Sequence, residues 1–310
     1  MKVSKLHKFP ILLITFQHSN LSTFQQTVAK DTFFQKKATL NAGGWLVDLS
    51  TPKVMGIINL TPDSFFAGSR QPGVDDALRQ AEKMLNEGAT FLDLGAYSSR
   101  PSAKDIPVDE EMARLLPVVE AIRNNYPEAL LSIDTFRAKV AEETINAGAH
   151  LINDISGGEL DEDMFQTVAR LQVPYILMHM RGNPQTMTKQ TDYEDLFGEI
   201  YDYFANKYYR LKQLGVHDVI IDPGFGFAKK NEQGYTLMSR LQEFGRLGLP
   251  ILAGVSRKRM VYHVTGGTAE DALNGTTVLN TIALTKGANI LRVHDVKEAV
   301  EAVKIWQLCQ

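Results

Sequence analysis

KVMGIINLTPDSF, residues 53–65, decides the fold. It opens as a nearly continuous apolar run, the pattern of a strand buried on both faces. The run breaks at Asn59, and Pro62 ends any ladder of backbone hydrogen bonds. Thr61, Asp63 and Ser64 then form a polar, turn-prone cluster. A buried strand that delivers polar groups to its C-terminal end is how α/β proteins build their sites. Taken alone, TPDS reads as an ordinary strand-to-helix turn with capping residues. Repetition of the pattern along the chain changes that reading.

Upstream, KATLNAGGWLVDLS (37–50) reads as a small β-hairpin turning at Asn41–Gly44. Downstream, Val74, Ala77, Leu78, Ala81, Met84 and Leu85 fall on one face of a helix over 74–87, with Gly88 as its C-terminal cap. A short repeat then recurs at Gly88-Ala89-Thr90-Phe91-Leu92-Asp93, Gly148-Ala149-His150-Leu151-Ile152-Asn153 and Gly287-Ala288-Asn289-Ile290-Leu291-Arg292. Each copy is a helix end, a tight turn, a strand and a polar residue where the strand emerges. Strands are expected at ALLSIDTF ending on Asp134, at VPYILMH (173–179), in VIIDPGFGF, in LPILAGVSRK and in ANILRV. Helices are expected over 137–147 and 271–286, from a Thr191/Glu194 capping box to about 214, and at the C-terminus. The aromatic stripe of the long helix (Leu196, Ile200, Phe204, Tyr208, Leu211) reads as core or subunit interface. About eight strand–helix units predict a (β/α)8 TIM barrel with an N-terminal hairpin, over residues 37–310. An open doubly wound sheet would carry a glycine-rich fingerprint after its first strand, and none is present.

Composition narrows the function. The 310 residues are 44% apolar and 22% charged with a net charge of −3, so no basic field invites nucleic acid. The single cysteine, Cys309, excludes an intramolecular disulfide and a cysteine-based zinc site, and fits a reducing, cytoplasmic setting. No stretch reaches the roughly 20 apolar residues of a membrane span. Residues 1–36 carry Lys2, Lys5, Lys8 and Lys30 with no acidic residue before Asp31, and a short apolar run, FPILLITF, at 9–16. No small-residue cleavage site follows that run, so the segment reads as a disordered extension or an early start rather than an export signal.

In a barrel the strand ends converge on one mouth. Here they supply Asn59, Asp93, Asp134, Asn153 and Asp154, His179, Asp222, Ser256-Arg257-Lys258, and Arg292 with His294. One such group is usually a satisfied acceptor or cap; polar groups at every strand end point to a polar ligand, because leaving each unpaired costs about 1–3 kcal/mol. The acceptors Asp134, Asn153 and Asp222 suit a flat ring rich in N–H donors, such as a pterin or purine. Arg100, Lys258, Arg292 and His294 form a separate cationic set that suits a phosphate or diphosphate. Asn59 and Asp63 could help hold Mg²⁺ on that diphosphate. His179, between Met178 and Met180, reads as structural.

These residues resemble a known family. MGIINLTPDSF, SSRP (98–101), SIDT (132–135), INDISG (152–157), LMHMRGNPQTM (177–187), DPGFGF (222–227), SRK (256–258) and RVHD (292–295) are together similar to dihydropteroate synthase, over about residues 37–308. The resemblance implies a folate-synthesis transferase that joins 6-hydroxymethyl-7,8-dihydropterin diphosphate to p-aminobenzoate and releases pyrophosphate, with Mg²⁺. It implies a homodimer with no nucleic-acid or membrane partner. It places the pterin on Asp134, Asn153, Asp222 and Lys258, and the diphosphate on Asn59, Arg292 and His294, with Asn59 on the metal. The catalytic set it implies is Asp134, Asp222, Lys258 and Arg292. It also implies that Thr61, Asp63, Phe65, Ser99, Arg100 and Pro101, on the loops after strands 1 and 2, shape the p-aminobenzoate pocket that sulfonamides also occupy in this family. Many members have Glu, Thr and Gly where Tyr97, Ser99 and Ser102 stand, Gly at Ala228 and Ser-Asp at Phe66-Ala67. These departures bear on the amine pocket and on sulfonamide sensitivity, not on the pterin or diphosphate residues. A corrinoid-dependent methyltransferase of the same fold would have no use for the cations. A non-catalytic pterin-binding protein could keep Asp134 and Asp222 but would have no need of the loops.

Overall fold

The computed structural model describes residues 38–61, 73–100 and 104–310, all within one compact unit, Phe34–Gln310. The expected extension at 1–36 lies outside the described residues, as do Asp63, Phe65, Phe66-Ala67, Pro101 and Ser102.

A two-stranded hairpin, β1 (Thr39–Ala42) and β2 (Trp45–Asp48), precedes the barrel and turns at Gly43-Gly44, so Asn41 belongs to the strand. Eight parallel strands follow: β3 (Lys53–Asn59), β4 (Phe91–Gly95), β5 (Leu130–Asp134), β6 (Leu151–Asp154), β7 (Tyr175–Met178), β8 (Val219–Asp222), β9 (Leu252–Ala253) and β10 (Ile290–Val293). Seven neighbouring pairs are laddered, and an Ile221–Ile251 bridge closes the ring between β8 and β9.

A floor of Met55, Phe91, Leu130, Leu151, Ile176, Ile220, Leu252 and Ile290 takes one side chain from each strand. Around this ring the registers step by two residues at four junctions, a total stagger of eight. That stagger is the shear of a TIM barrel. The hairpin's Leu40, Ala42, Val47 and Leu49 pack into the floor and seal its lower side. Asn289 locks the seal, donating to Leu49 O at 3.1 Å and accepting from Ile251 N–H at 3.1 Å.

Helices α1 (Val74–Asn86), α2 (Val108–Asn125), α3 (Ala138–Asn146), α4 (Met164–Leu171), α5 (Leu196–Gln213), α6 (Asn231–Ser239), α7 (Arg259–Thr265), α8 (Leu273–Thr285) and α9 (Val296–Leu308) cover the outer face. The repeated glycines end helices in the left-handed region, at φ 99° for Gly88, 108° for Gly148 and 87° for Gly287. After each, the next residue's N–H reaches back to the helix, as Ala89 does to Met84 O and Ala149 to Thr144 O. Gly215, φ 83°, does the same after α5, a fourth copy that the sequence repeat does not reveal because Val216 replaces its alanine.

Two local expectations are corrected. The cap of α5 is Asp195, not Thr191 with Glu194: Asp195 Oδ1 accepts Gly198 N–H at 3.1 Å, and Glu199 Oε1 accepts the N–H groups of Glu194 and Asp195. The buried stripe of that helix is Phe197, Ile200, Phe204, Lys207 and Leu211. Phe197 and Phe204 pack on Phe244, 4.6 and 5.6 Å between ring centres. Helices α2, α4, α6 and α7 complete the strand–helix units, although the sequence reading names none of them individually. The first contains Pro117 and the third Gly234, both poor helix formers, and α4 and α7 span only 8 and 7 residues.

Candidate active site

Side chains alternate along a strand, so each strand's next inward position lies two residues past the floor. Those positions are Ile57, Asp93, Ser132, Asn153, Met178, Asp222, Gly254 and Arg292. Two further on come Asn59, Gly95, Asp134, Ile155, Met180, Gly224, Ser256 and His294. The barrel thus passes from oil to polar groups within two rungs.

The interior groups form one network. Arg292 donates to Asp93 Oδ2 through Nε and to Asp134 Oδ2 through an Nη, both at 2.6 Å. Asn153 Nδ2 donates to the same Asp93 oxygen at 3.0 Å. Three strands, β4, β5 and β10, therefore meet at one guanidinium, and β6 joins them through Asp93. Asp222 Oδ1 accepts Gly224 N–H at 2.8 Å, and Lys258 Nζ donates to Phe225 O at 2.6 Å. A Cβ on Gly224 would come within 2.1 Å of His179 O, so that turn admits only glycine. The buried atoms Asp93 Oδ1 and Ser132 Oγ, on register-paired residues of β4 and β5, have no hydrogen-bond partner among the described residues. Buried polar atoms of that kind call for a polar ligand or water.

Burial sets the protonation. It pushes the Asp134 carboxyl up to about 7, with Arg292 pulling it down and Asp93 pushing it up. Burial also raises Asp222, against the pull of Lys258 and the Gly224 N–H. It lowers Lys258 to about 8, against the pull of Asp222. Burial and then the Arg292 charge lower His294 to about 4, so this ring is neutral near pH 7. Ser256 Oγ accepts the His294 N–H at 3.1 Å and lies 3.0 Å from Nδ1.

Two readings from sequence change. Arg292 and Lys258 do not stand apart from the acceptors; they interleave with them, because buried charges hold together only when paired. Burial and the neighbouring Arg292 charge favour the neutral His294 ring over the cation. Arg257, adjacent to Lys258, turns away and makes a two-pronged pair with Asp295 at 2.8 Å on each prong. Asp154 serves structure, accepting from Ser156, Gly158 and Tyr175.

Asn59 is exposed at the rim, and Thr61, Ser99 and Arg100 follow on the loops beyond β3 and β4. One side of the mouth is apolar: Ile155, Met178, Met180 and Met187 pack together with Phe227 and Phe136. Sequence reading missed this wall, since methionines around a histidine look like ordinary core. It also missed Lys229, whose buried ammonium donates to Phe227 O at 2.9 Å and His179 O at 3.3 Å and lies 2.9 Å from His179 Nδ1. Those contacts confirm His179 as structural and hold the loop whose carbonyl meets Lys258. Ala228 within that loop sits at φ 49°, where Gly is preferred.

Comparison with known proteins accounts for this geometry. Residues 55–294 match the family model described as pterin binding enzyme. The dihydropteroate synthase of Escherichia coli (strain K12) is 42% identical over 268 residues, 86% of this chain and 94% of that one. The chain belongs to the dihydropteroate synthase family. Among solved structures, Xanthomonas albilineans dihydropteroate synthase with 4-aminobenzoic acid aligns with a TM-score of 0.83 at 36% identity, covering 88% of this chain and 98% of that one. The Yersinia pestis dihydropteroate synthase in a sulfonamide drug complex aligns at 0.81 and 41% identity, covering 87% and 98%. As a dihydropteroate synthase relative the chain is a transferase-family TIM barrel, and no described helix is long and apolar enough to cross a membrane.

Proposed function

We propose that this chain joins 6-hydroxymethyl-7,8-dihydropterin diphosphate to p-aminobenzoate, giving 7,8-dihydropteroate and pyrophosphate. The observation that carries the reading is the interleaved layer of Asp93, Asn153, Asp134, Asp222, Lys258 and Arg292, closed on one side by an apolar wall. A flat ring with N–H donors on its edges fits between those carboxylates and the wall. The pterin lies on Asp134, Asn153, Asp222 and Lys258. Its diphosphate points to the rim, toward Asn59, His294 and the outer face of Arg292.

The reaction breaks the methylene–oxygen bond, whose electron pair leaves with pyrophosphate, and forms a bond from the arylamine nitrogen, which then loses a proton. Charge builds on the departing oxygens, and Arg292 and His294 are placed to favour it there more than in the bound substrate. The methylene becomes cation-like, and the carboxylates of Asp134 and Asp222 favour that change. Dissociative substitution therefore needs no covalent nucleophile. Ser99, Arg100 and Thr61 line the approach of p-aminobenzoate.

Mg²⁺ fits the donors present. Among the described residues no three His, Cys, Asp or Glu side chains cluster as a cage, while Asn59 offers a rim oxygen beside the diphosphate position. Such a hard cation is held mainly by phosphate oxygens and water, and when bound it offsets charge on the leaving group. The protein works as a cytoplasmic homodimer, paired through the exposed apolar face of Val264, Val278 and Ile282 on α7 and α8.

The test is pyrophosphate release from dihydropterin diphosphate and Mg²⁺, with and without p-aminobenzoate. Release that depends on p-aminobenzoate is expected. Tight pterin binding with no release would sink the synthase reading and favour the methyltransferase or binding-protein readings.

A further inference from the structure

We propose that Arg137 is a positioning residue for the aromatic amine: its guanidinium gathers both described flanks of the loop after β4, and so sets where Ser99 and Arg100 stand. The proposal rests on the synthase reading above.

Arg137 leaves the C-terminal end of β5 three residues after Asp134, and its side chain is only 12% exposed. On the far flank of the loop, Nη2 donates to Asp105 Oδ1 at 3.0 Å and to Ile106 O at 2.6 Å. Just beyond, on α2, Nη1 donates to Glu111 Oε2 at 2.7 Å, and Glu111 is fully buried. On the near flank, the guanidinium carbon lies 5.3 Å from the centre of the Tyr97 ring and 5.2 Å from that of Phe136. Tyr97 meets Phe136 edge-on at 5.0 Å, and its hydroxyl accepts Gln185 Nε2–H at 3.2 Å. One cation thus joins residue 97 to residues 105 and 106, and ties both to the loop after β7.

The same hub returns to β5. Thr135 Oγ1 donates to Glu111 Oε1 at 2.7 Å and accepts the Arg137 N–H at 3.2 Å. A surface ion pair would be too weak and mobile to place a loop. This one has a buried carboxylate, two aromatic faces and a backbone carbonyl as partners, which restrict the guanidinium to one pose. None of the guanidinium's hydrogen bonds goes to Asn153, Asp222 or Lys258. The guanidinium therefore acts on the loop that meets the amine, while its partners border the pterin cradle: burial and, in smaller part, the Glu111 charge raise the Asp134 carboxyl, and Thr135 N–H meets Asn153 O at 3.1 Å. Tyr97 is part of it, which gives the residue that departs from the family pattern a role: its ring provides the flat face that the guanidinium covers.

The experiment compares the full chain with R137M, R137K, Y97F and the paired variant E111Q/R137M, which removes both buried charges so that no carboxylate is stranded. Steady-state pyrophosphate release gives the two Michaelis constants, and hydrogen exchange reads the backbone amides of 97–100 and 104–107. In R137M and the paired variant the KM for p-aminobenzoate rises on the order of tenfold or more, as displacement of a positioned group does. In R137M, which keeps Glu111, the KM for dihydropterin diphosphate stays within about twofold; exchange at 97–100 and 104–107 speeds up, and R137K recovers part of the loss. Y97F, which loses the hydroxyl's contacts with Gln185 and Asp105 but keeps the ring, shifts the amine KM by about twofold to fivefold. Equal rises in both constants in R137M, or an unchanged amine KM in a folded paired variant, would overturn the proposal. If the unsubstituted chain released no pyrophosphate, the synthase reading would fall, and unchanged exchange in R137M would overturn the clamp separately.

Discussion

The floor of the barrel and the layer above it occupy the same eight strands, two residues apart, yet they obey opposite rules. The floor holds Met55, Phe91, Leu130, Leu151, Ile176, Ile220, Leu252 and Ile290, all buried and sealed from below by the hairpin. Each such side chain contributes about 1.5–3 kcal/mol by leaving water. The layer above holds Asp93, Ser132, Asn153, Asp222 and Arg292, groups that gain nothing from burial unless something pairs with them. The floor makes the ring stable enough to hold the second layer in an arrangement that is costly without its ligand. Stability and chemistry are thus stacked along one axis rather than placed on separate elements.

The contrast can be broken most severely at Arg292. R292M leaves Asp93 and Asp134 buried without their partner. We expect a loss on the order of 10³-fold in kcat/KM for the pterin substrate, together with about 3–5 kcal/mol of stability. Steady-state kinetics and urea unfolding measure the two separately. If stability fell and kcat/KM did not, the upper layer would be structural like the floor.

F91A tests the floor. It should remove about 3–5 kcal/mol of stability by opening a cavity under the site. Both Michaelis constants should stay within about twofold where the protein remains folded, because the floor touches no substrate. A selective change in one constant at constant stability would show that the two layers are not independent.

The smallest effect is also the most specific. The proposed mechanism uses an ionised Asp134, whose carboxyl is raised to about 7, so activity is expected to rise with pH through that value. It also uses a protonated Lys258, whose ammonium is lowered to about 8, so activity is expected to fall above it. The profile of kcat/KM is a narrow bell, losing about tenfold per pH unit outside the limbs. K258M should lower kcat/KM at every pH, and the residual activity should keep the acid limb and lack the alkaline one. An unchanged alkaline limb in that variant would assign it to another group.

Much of this was legible in the chain. Buried parallel strands must be apolar on both faces, so MGIIN, FLDLG and LLSID announce themselves. The Gly-Ala repeat marks helix ends because only glycine readily takes the left-handed turn that closes them. Polar residues at Asn59, Asp134, Asn153, Asp222, Lys258, Arg292 and His294 stand out since each interrupts an apolar run at its C-terminal end. The tertiary structure decided how those residues pair. Arg292 reaches Asp93 across 199 positions of sequence, and Arg137 reaches Glu111 across 26. A sequence shows which groups a strand delivers to the mouth. Which cation neutralises which carboxylate, which histidine stays neutral and which arginine turns away to Asp295 depend on distances and burial that exist only once the ring has closed.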